Sequence, residues 1–421
     1  MSQRRPILNF RGLAPLFLLG AAALGFWLAM TVKWGTFYYV APAPSVAAVA
    51  NLPPPVIHLP TPEPTRALYL TQCAATAAGL RDRILKLADE TEINAVVVDL
   101  KDYSGTTIFP STTALPGGRG CTLATFADLV KLMHEKQIYV IGRLTVFQDP
   151  LYAKTYPEQA VQSVSSGGPW KDRKGLSFVD VGSRPFWDYI VTLAREAEAL
   201  GVDEINFDYI RYPSDGNMRD AVYQELGASH PENLEKFFAY LKSNLQPLEP
   251  KTYNLQPVLS ADLFGMTATN EDDLGIGQVL ERTLPYFDFV DPMVYPSHYP
   301  NGFNGWADPN QKSYEIVRLA METAVTRTLA TTTRVAALTH ERIGTTTPAV
   351  YRKPAYPASK IRPWLQDFDY PIPYSPAMVK AQIQATYDAG LNSWLMWDPR
   401  NEYTPSVYQL TNQGGERGGE L

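Results

Sequence analysis

From residue 66 onward the apolar positions follow two alternating rhythms. Eight short runs have the length and the β-branched or aromatic content of strands: 67–70, 95–100, 138–144, 204–210, 258–263, 287–295, 334–338 and 392–397. Between them apolar residues return at helical spacing. Leu80, Ile84 and Leu87 share one predicted face, Phe126, Val130 and Met133 the next, and Phe186, Ile190 and Leu193 a third. Leu234, Phe237 and Leu241 follow a Ser229-His-Pro-Glu232 capping box, and Val379, Ile383 and Tyr387 follow Ser375-Pro376 and run up to Gly390. Strands that alternate with helices pair in parallel through right-handed crossovers. Eight of them predict an α/β fold, a (β/α)8 TIM barrel with long βα loops, over residues 66–400. The stretch from 338 to 375 carries no clear rhythm.

Ahead of the barrel the pattern changes twice. Residues 12–32 form an uncharged run of 21 residues, preceded by Arg4, Arg5 and Arg11 in a basic tail (1–11) and closed by Lys33. That length crosses a bilayer as a helix, and the basic flank orients the tail to the cytoplasm. A cleaved signal segment is the rival reading, with the Ala-x-Ala pattern Ala48-Val49-Ala50 lying well beyond the run. Either way the rest of the chain lies outside the cytoplasm, as a single-pass membrane protein or a secreted one. Residues 33–65 read as a linker, rich in proline from 41 onward, extended and without a fold of its own. Residues 401–421 read as a tail.

Composition adds two limits. The chain has 421 residues, 45% of them hydrophobic and 12% aromatic, enough to fill a large core. Its net charge of −6 argues against a nucleic-acid partner, which calls for a clustered basic surface.

The chemistry lies in acidic residues at strand ends. In the run 201–213 a short strand carries Glu204, Asn206 and Asp208 on one face and Ile205, Phe207 and Tyr209 on the other. The polar face points into the barrel, with Asp208 at the C-terminal end where barrel active sites are built. Asp99 and Asp102 flank Lys101 at the end of the second strand, Asp262 ends the fifth, Asp291 lies in the sixth and Asp398 ends the eighth. One such aspartate is an ordinary cap or turn former. Several converging on one mouth repel each other, which raises the pKa of at least one and yields a proton donor beside an ionised partner. Glycoside hydrolysis requires that pair. Asp208 is the candidate nucleophile and Asp262 the first candidate acid, then Asp291, with Asp398 or Asp99 after them. Arg211 starts on the opposite face by parity, so it either holds Asp208 ionised or forms a structural ion pair. Asp99, Lys101, Asp102, Arg211, Tyr295, His298, Trp397 and Asp398 are candidate substrate contacts, Trp170 is a further candidate stacking platform, and Trp394 reads as core.

Three motifs carry a family resemblance: Asp-Glu-Ile-Asn-Phe-Asp-Tyr-Ile-Arg-Tyr-Pro (203–213), Val-Val-Val-Asp-Leu-Lys-Asp-Tyr-Ser-Gly (96–105) and Asp-Pro-Met-Val-Tyr-Pro-Ser-His-Tyr (291–299). Over residues 66–400 the chain resembles a bacterial family described as glycoside hydrolases, a barrel related to the α-amylase-like superfamily. The resemblance implies a carbohydrate polymer as substrate and a nucleophile at the end of the fourth strand, matched by Asp208. It implies a glutamate acid on the fifth strand, where this chain has Asp262, and an arginine two residues before the nucleophile, where this chain has Asn206.

Other chemistries find no motif. The five histidines form no metal-binding pair, so no metal and no cofactor is expected. There is no phosphate loop and no Gly-x-Ser-x-Gly elbow. Cys73 and Cys121 follow neighbouring strands at one mouth, which suits a disulfide in an oxidising compartment. A second function fits the same barrel, a catalytically inactive carbohydrate-binding protein whose acidic mouth only accepts hydrogen bonds from sugar hydroxyls.

Overall fold

Strand β2 (Ala95–Lys101) begins Ala-Val-Val-Val, buried on both faces, as a strand must be when helices cover one side and a barrel interior the other. Seven more strands share that environment: β1 (Arg66–Leu70), β3 (Tyr139–Thr145), β4 (Glu204–Asp208), β5 (Val258–Phe264), β6 (Phe289–Met293), β7 (Trp364–Gln366) and β8 (Trp394–Trp397). In this computed structural model, which describes residues 56–118, 120–223, 228–246 and 257–408, they pair in parallel and in chain order. β8 returns to β1 and closes the barrel.

Helices α1 (Ala78–Glu90), α2 (Phe126–Glu135), α3 (Arg184–Ala199), α4 (His230–Leu245), α5 (Leu280–Thr283), α6 (Ser313–Leu329) and α7 (Pro376–Asp388) follow the strands. The larger apolar cluster lies between helices and strands and includes Ile84, Val130, Ile190, Phe237 and Val379. A second cluster fills the interior with Ala67, Tyr69, Val97, Tyr139, Ile141, Trp364 and Leu395. On β4, β5 and β6 the interior positions are polar instead, so the barrel lumen has an oily side and a charged side.

Two expected elements differ. The run 334–338 is not the seventh barrel strand; Leu338 is 54% exposed, and the chain there builds a small antiparallel sheet of Thr332–Thr333, Glu341–Ile343 and Val350–Arg352. The seventh barrel strand is β7, three residues long. Helix α6 is absent from the rhythm read in the sequence because its buried side includes small residues, Ala320, Ala324 and Thr328 among them.

The packed unit also runs past both limits read from the sequence. Residues 56–65 meet the N-terminal end of the barrel: Leu59 N donates to Asp203 Oδ1 (2.7 Å), Thr61 Oγ1 bonds Tyr139 Oη (3.0 Å) and Thr65 N donates to Ser393 Oγ (3.0 Å). At the other end Tyr408 stacks on Trp394 and donates to Asp367. The basic tail, the 12–32 segment and the linker up to residue 55 lie outside the described residues. Among the described residues no helix is long and apolar enough to cross a membrane. A Cys73–Cys121 disulfide, Cα atoms 5.0 Å apart, ties the loop after β1 to the loop after β2.

Candidate active site

Strand register decides which side chains meet at the C-terminal mouth. Asp99 on β2 lies beside Arg143 on β3, and Arg143 beside Asn206 on β4. Asn206 pairs with Ser260 on β5, and Asp262 with Asp291 on β6. All point inward by the twofold alternation of strands.

Arg143 organises the acidic groups. Its Nε donates to Asp208 Oδ2 at 3.0 Å, its Nη2 to the same oxygen, and its Nη1 to Asp99 Oδ1 at 2.5 Å. Asp99 in turn accepts from the Tyr69 hydroxyl. Asp208 Oδ1 accepts Tyr209 N at 2.5 Å. The same Arg143 Nε stands 3.8 Å from Asp262 Oδ2. Against the arginine two residues before the nucleophile that the resemblance implied, the guanidinium here crosses from the neighbouring strand, and position 206 is an asparagine.

Asp262 is held by one oxygen only. Oδ1 accepts from Trp364 Nε1 at 2.7 Å and from Asn206 Nδ2 at 2.9 Å. Oδ2 is buried and has no hydrogen-bond partner. Burial, and then the neighbouring Asp208 and Asp291 carboxylates, push the Asp262 pKa well above the usual carboxylate value. Both causes favour the protonated form, and Oδ2, the oxygen without a donor, is the one free to carry the proton.

Above these residues opens a cavity of about 210 Å³, several times the roughly 30 Å³ share of a water molecule. Tyr69, Arg143, Asp208, Asp262 and Trp364 form its floor; Tyr209, Arg211, Phe264, Met293, Tyr295, His298 and Trp397 form its walls. Trp397 is half-buried and packs on Tyr295 (5.1 Å) and Phe368 (5.0 Å), which fixes its ring as one wall. Burial, with Asp262 and Asp208 nearby, keeps the Tyr295 hydroxyl protonated. His298 is on the rim, its Nδ1 on Ser297 Oγ at 2.9 Å.

Several residues read from the sequence as site residues stand elsewhere. Asp291 is fully buried below the floor, where Arg362 bonds both its oxygens at 3.0 Å and also pairs with Glu204. It does not line the cavity, and the Arg362 guanidinium engages both its oxygens. Lys101 is turned away by a bulge between Asp99 and Lys101, which aligns Lys101 with outward-facing Leu144; its ammonium pairs with buried Asp149 at 2.8 Å. Asp102 caps its own turn through Ser104 N (2.9 Å) and Ser104 Oγ (2.6 Å). Asp398 accepts Arg400 N at 2.6 Å in a turn behind the wall. Trp170 is buried, with Nε1 on the Asn217 carbonyl. Trp394 is in the core.

Arg211 reaches the cavity although parity sends it outward, because Tyr209 has φ +51°. That left-handed residue ends the strand's alternation one position after Asp208, and such strain clusters at functional sites. Arg143 was legible as a charge inside an apolar strand, on the face of Tyr139 and Ile141. Trp364 was not, since its strand escaped detection. Among the described residues no group of three or more His, Cys, Asp or Glu side chains is arranged to hold a metal ion.

The model of one protein family, described as “Putative glycosyl hydrolase domain”, matches residues 67–403. A crystal structure of a hypothetical protein from Ruminiclostridium thermocellum ATCC 27405 is 34% identical, over 50% of this chain and 98% of that one, with a TM-score of 0.40. The glycoside hydrolase domain of PgaB (BpsB) from Bordetella bronchiseptica is 12% identical over 82% of this chain and 99% of that one, with a TM-score of 0.55. Alpha-L-fucosidase isoenzyme 2 from Paenibacillus thiaminolyticus is 11% identical over 82% of this chain and 48% of that one, with a TM-score of 0.50. For the last two the likeness is one of fold. No curated protein matches the chain.

Proposed function

The chain belongs to the family described as “Putative glycosyl hydrolase domain”, and from that membership we propose that it hydrolyses glycosidic bonds of a polysaccharide by a retaining, two-carboxylate mechanism. One observation carries the reading: Asp262 keeps one oxygen without a partner beside Asp208, under an open cavity. Asp208, held by Arg143 and Tyr209 N, attacks the anomeric carbon. Asp262 gives its Oδ2 proton to the leaving oxygen, then as a carboxylate takes a proton from the water that frees the sugar. Arg143 keeps Asp208 ionised and aimed, and Asp99 aims Arg143. Trp397 offers the sugar a flat face.

Spacing favours retention. Asp208 Oδ2 and Asp262 Oδ2 lie 3.0 and 3.8 Å from one nitrogen, so they are no further apart than those distances laid end to end. That bound covers the whole retaining range of about 5–5.5 Å and only the lowest edge of the inverting range of about 6.5–9.5 Å. The open cavity over both carboxyls favours an enzyme over a non-catalytic carbohydrate-binding barrel.

The test is reducing-end release from a panel of cell-wall and exopolysaccharide glycans by the full-length protein. Asp208→Asn should abolish release with an unchanged melting temperature. Asp262→Ala should slow poor leaving groups by about 10²–10⁴-fold but spare activated aryl glycosides, and azide should rescue it as a glycosyl azide of retained configuration. Full activity in Asp208→Asn overturns the reading, and an azide product of inverted configuration overturns retention.

We place the domain outside the cytoplasm, tethered through residues 12–32 or secreted. The disulfide supports an oxidising compartment. Protease added to intact cells should digest the tethered form; complete protection there argues against it.

A further inference from the structure

Among the described residues, Arg211 on the cavity wall has no ion-pair partner. Its acceptors among the described residues are the Tyr212 carbonyl (3.0 Å) and the Ser214 hydroxyl (3.3 Å), both through Nη1. The Nε–H and the Nη2 hydrogens are left over. These lie on one edge of the guanidinium as two parallel donors, the fork that matches a carboxylate. The group is fixed in place, with its central carbon 5.0 Å from the Tyr209 ring centre and 5.9 Å from that of Phe178. The left-handed backbone of Tyr209 brings it there.

Lys174, exposed on the β3–α3 loop, opposes protonation of the His298 imidazole on the cavity wall. Of the acidic residues on the neighbouring loops, Asp215 pairs with Arg173, and Asp172 Oδ1 accepts Lys174 N and Leu176 N, each at 2.8 Å.

The other guanidinium of the cavity, Arg143, is answered by Asp208 and Asp99 together. Arg211 has no such carboxylate among the described residues. A neutral sugar can offer its free edge only hydroxyl oxygens, whereas a carboxylate meets both donors at once.

We propose that Arg211 forms a subsite for an anionic group carried by the glycan, a carboxylate by preference, so that the substrate is a polysaccharide containing uronic-acid units. The proposal rests on the glycoside hydrolase reading for the cleavage itself but concerns binding.

Binding by the full-length Asp208→Asn protein separates the two. Calorimetric titration would use hexuronic-acid oligosaccharides of both anomeric linkages, the same oligosaccharides after carboxyl reduction, and sulfated neutral ones. The acidic oligosaccharides should bind about tenfold or more tighter than their reduced forms. Adding Arg211→Gln should erase that difference by weakening the acidic ligands alone, and Arg211→Lys, which keeps the charge without the fork, should fall between. Preference for the sulfated set assigns the site to sulfate instead. Equal binding of acidic and reduced forms, no binding to either, or an Arg211→Gln loss shared equally by both overturns the subsite. Discrimination in binding without cleavage by the wild type overturns the hydrolase and leaves the subsite standing; cleavage of neutral glycans without discrimination does the reverse.

Discussion

Trp364 reaches Asp262 at 2.7 Å and gives the acid its orientation without touching the cavity's proton. Its N–H stabilises the ionised carboxyl more than the neutral one, because a hydrogen bond to a charge is the stronger. Burial and two nearby carboxylates nevertheless hold the Asp262 pKa above the usual value. As the proposed acid, Asp262 must be protonated to act, so kcat/KM should be lost as pH rises through that raised pKa. Trp364→Phe removes the bond, should move this alkaline limb up by roughly one pH unit, and should lower kcat by about tenfold. A fall in kcat with an unmoved limb would mean that the ring only fills space. Asp208 and Asp262 were legible in the sequence because strand parity points them into the lumen and barrel chemistry sits at strand ends. Arg211 was misplaced by the same parity, which holds only until the backbone turns left-handed at Tyr209. Asp291 looked as good as Asp262 because no local pattern reveals that Arg362, 71 residues away, will neutralise it.

Elements were readable where a face was long and bulky. β2 and β3 have seven residues each, and α3 presents aromatic and branched side chains to the barrel. β7 has three residues and follows Pro363, too short for any rhythm, so an apolar run some thirty residues earlier took its place in the count. The segment 56–65 misleads for the opposite reason: its prolines suggest a free linker, yet its backbone and threonines are bonded to Asp203, Tyr139 and Ser393. It continues a polar file along the lumen, from Thr61 through Tyr139 and Glu204 to Arg362 and Asp291. A chain starting at residue 66 should therefore be less stable than one starting at 56, by about 3 kcal/mol for partial burial of Leu59 and the lost hydrogen bonds. Thermal unfolding of the two would decide it, and equal melting temperatures would return the segment to the linker.

Over the whole molecule the barrel is not bonded evenly. β2 and β3 meet through six aligned residue pairs, whereas β6 and β7 share one, Trp364 with Met293, and a single bridge from Val290 to Ile361. That seam carries Arg362 and Trp364, and so reaches both Asp291 and Asp262. Where few ladder bonds must break, local opening is cheap and amides trade their hydrogens for deuterium early. Mass spectrometry should find peptide 361–366 exchanging well before 95–101, and exchange as slow as that of 95–101 would refute the seam. A sugar seated against Trp364 ties the two sides together and should retard that exchange. The barrel should thus breathe at the joint that holds its proposed acid, and an occupied cavity should still it.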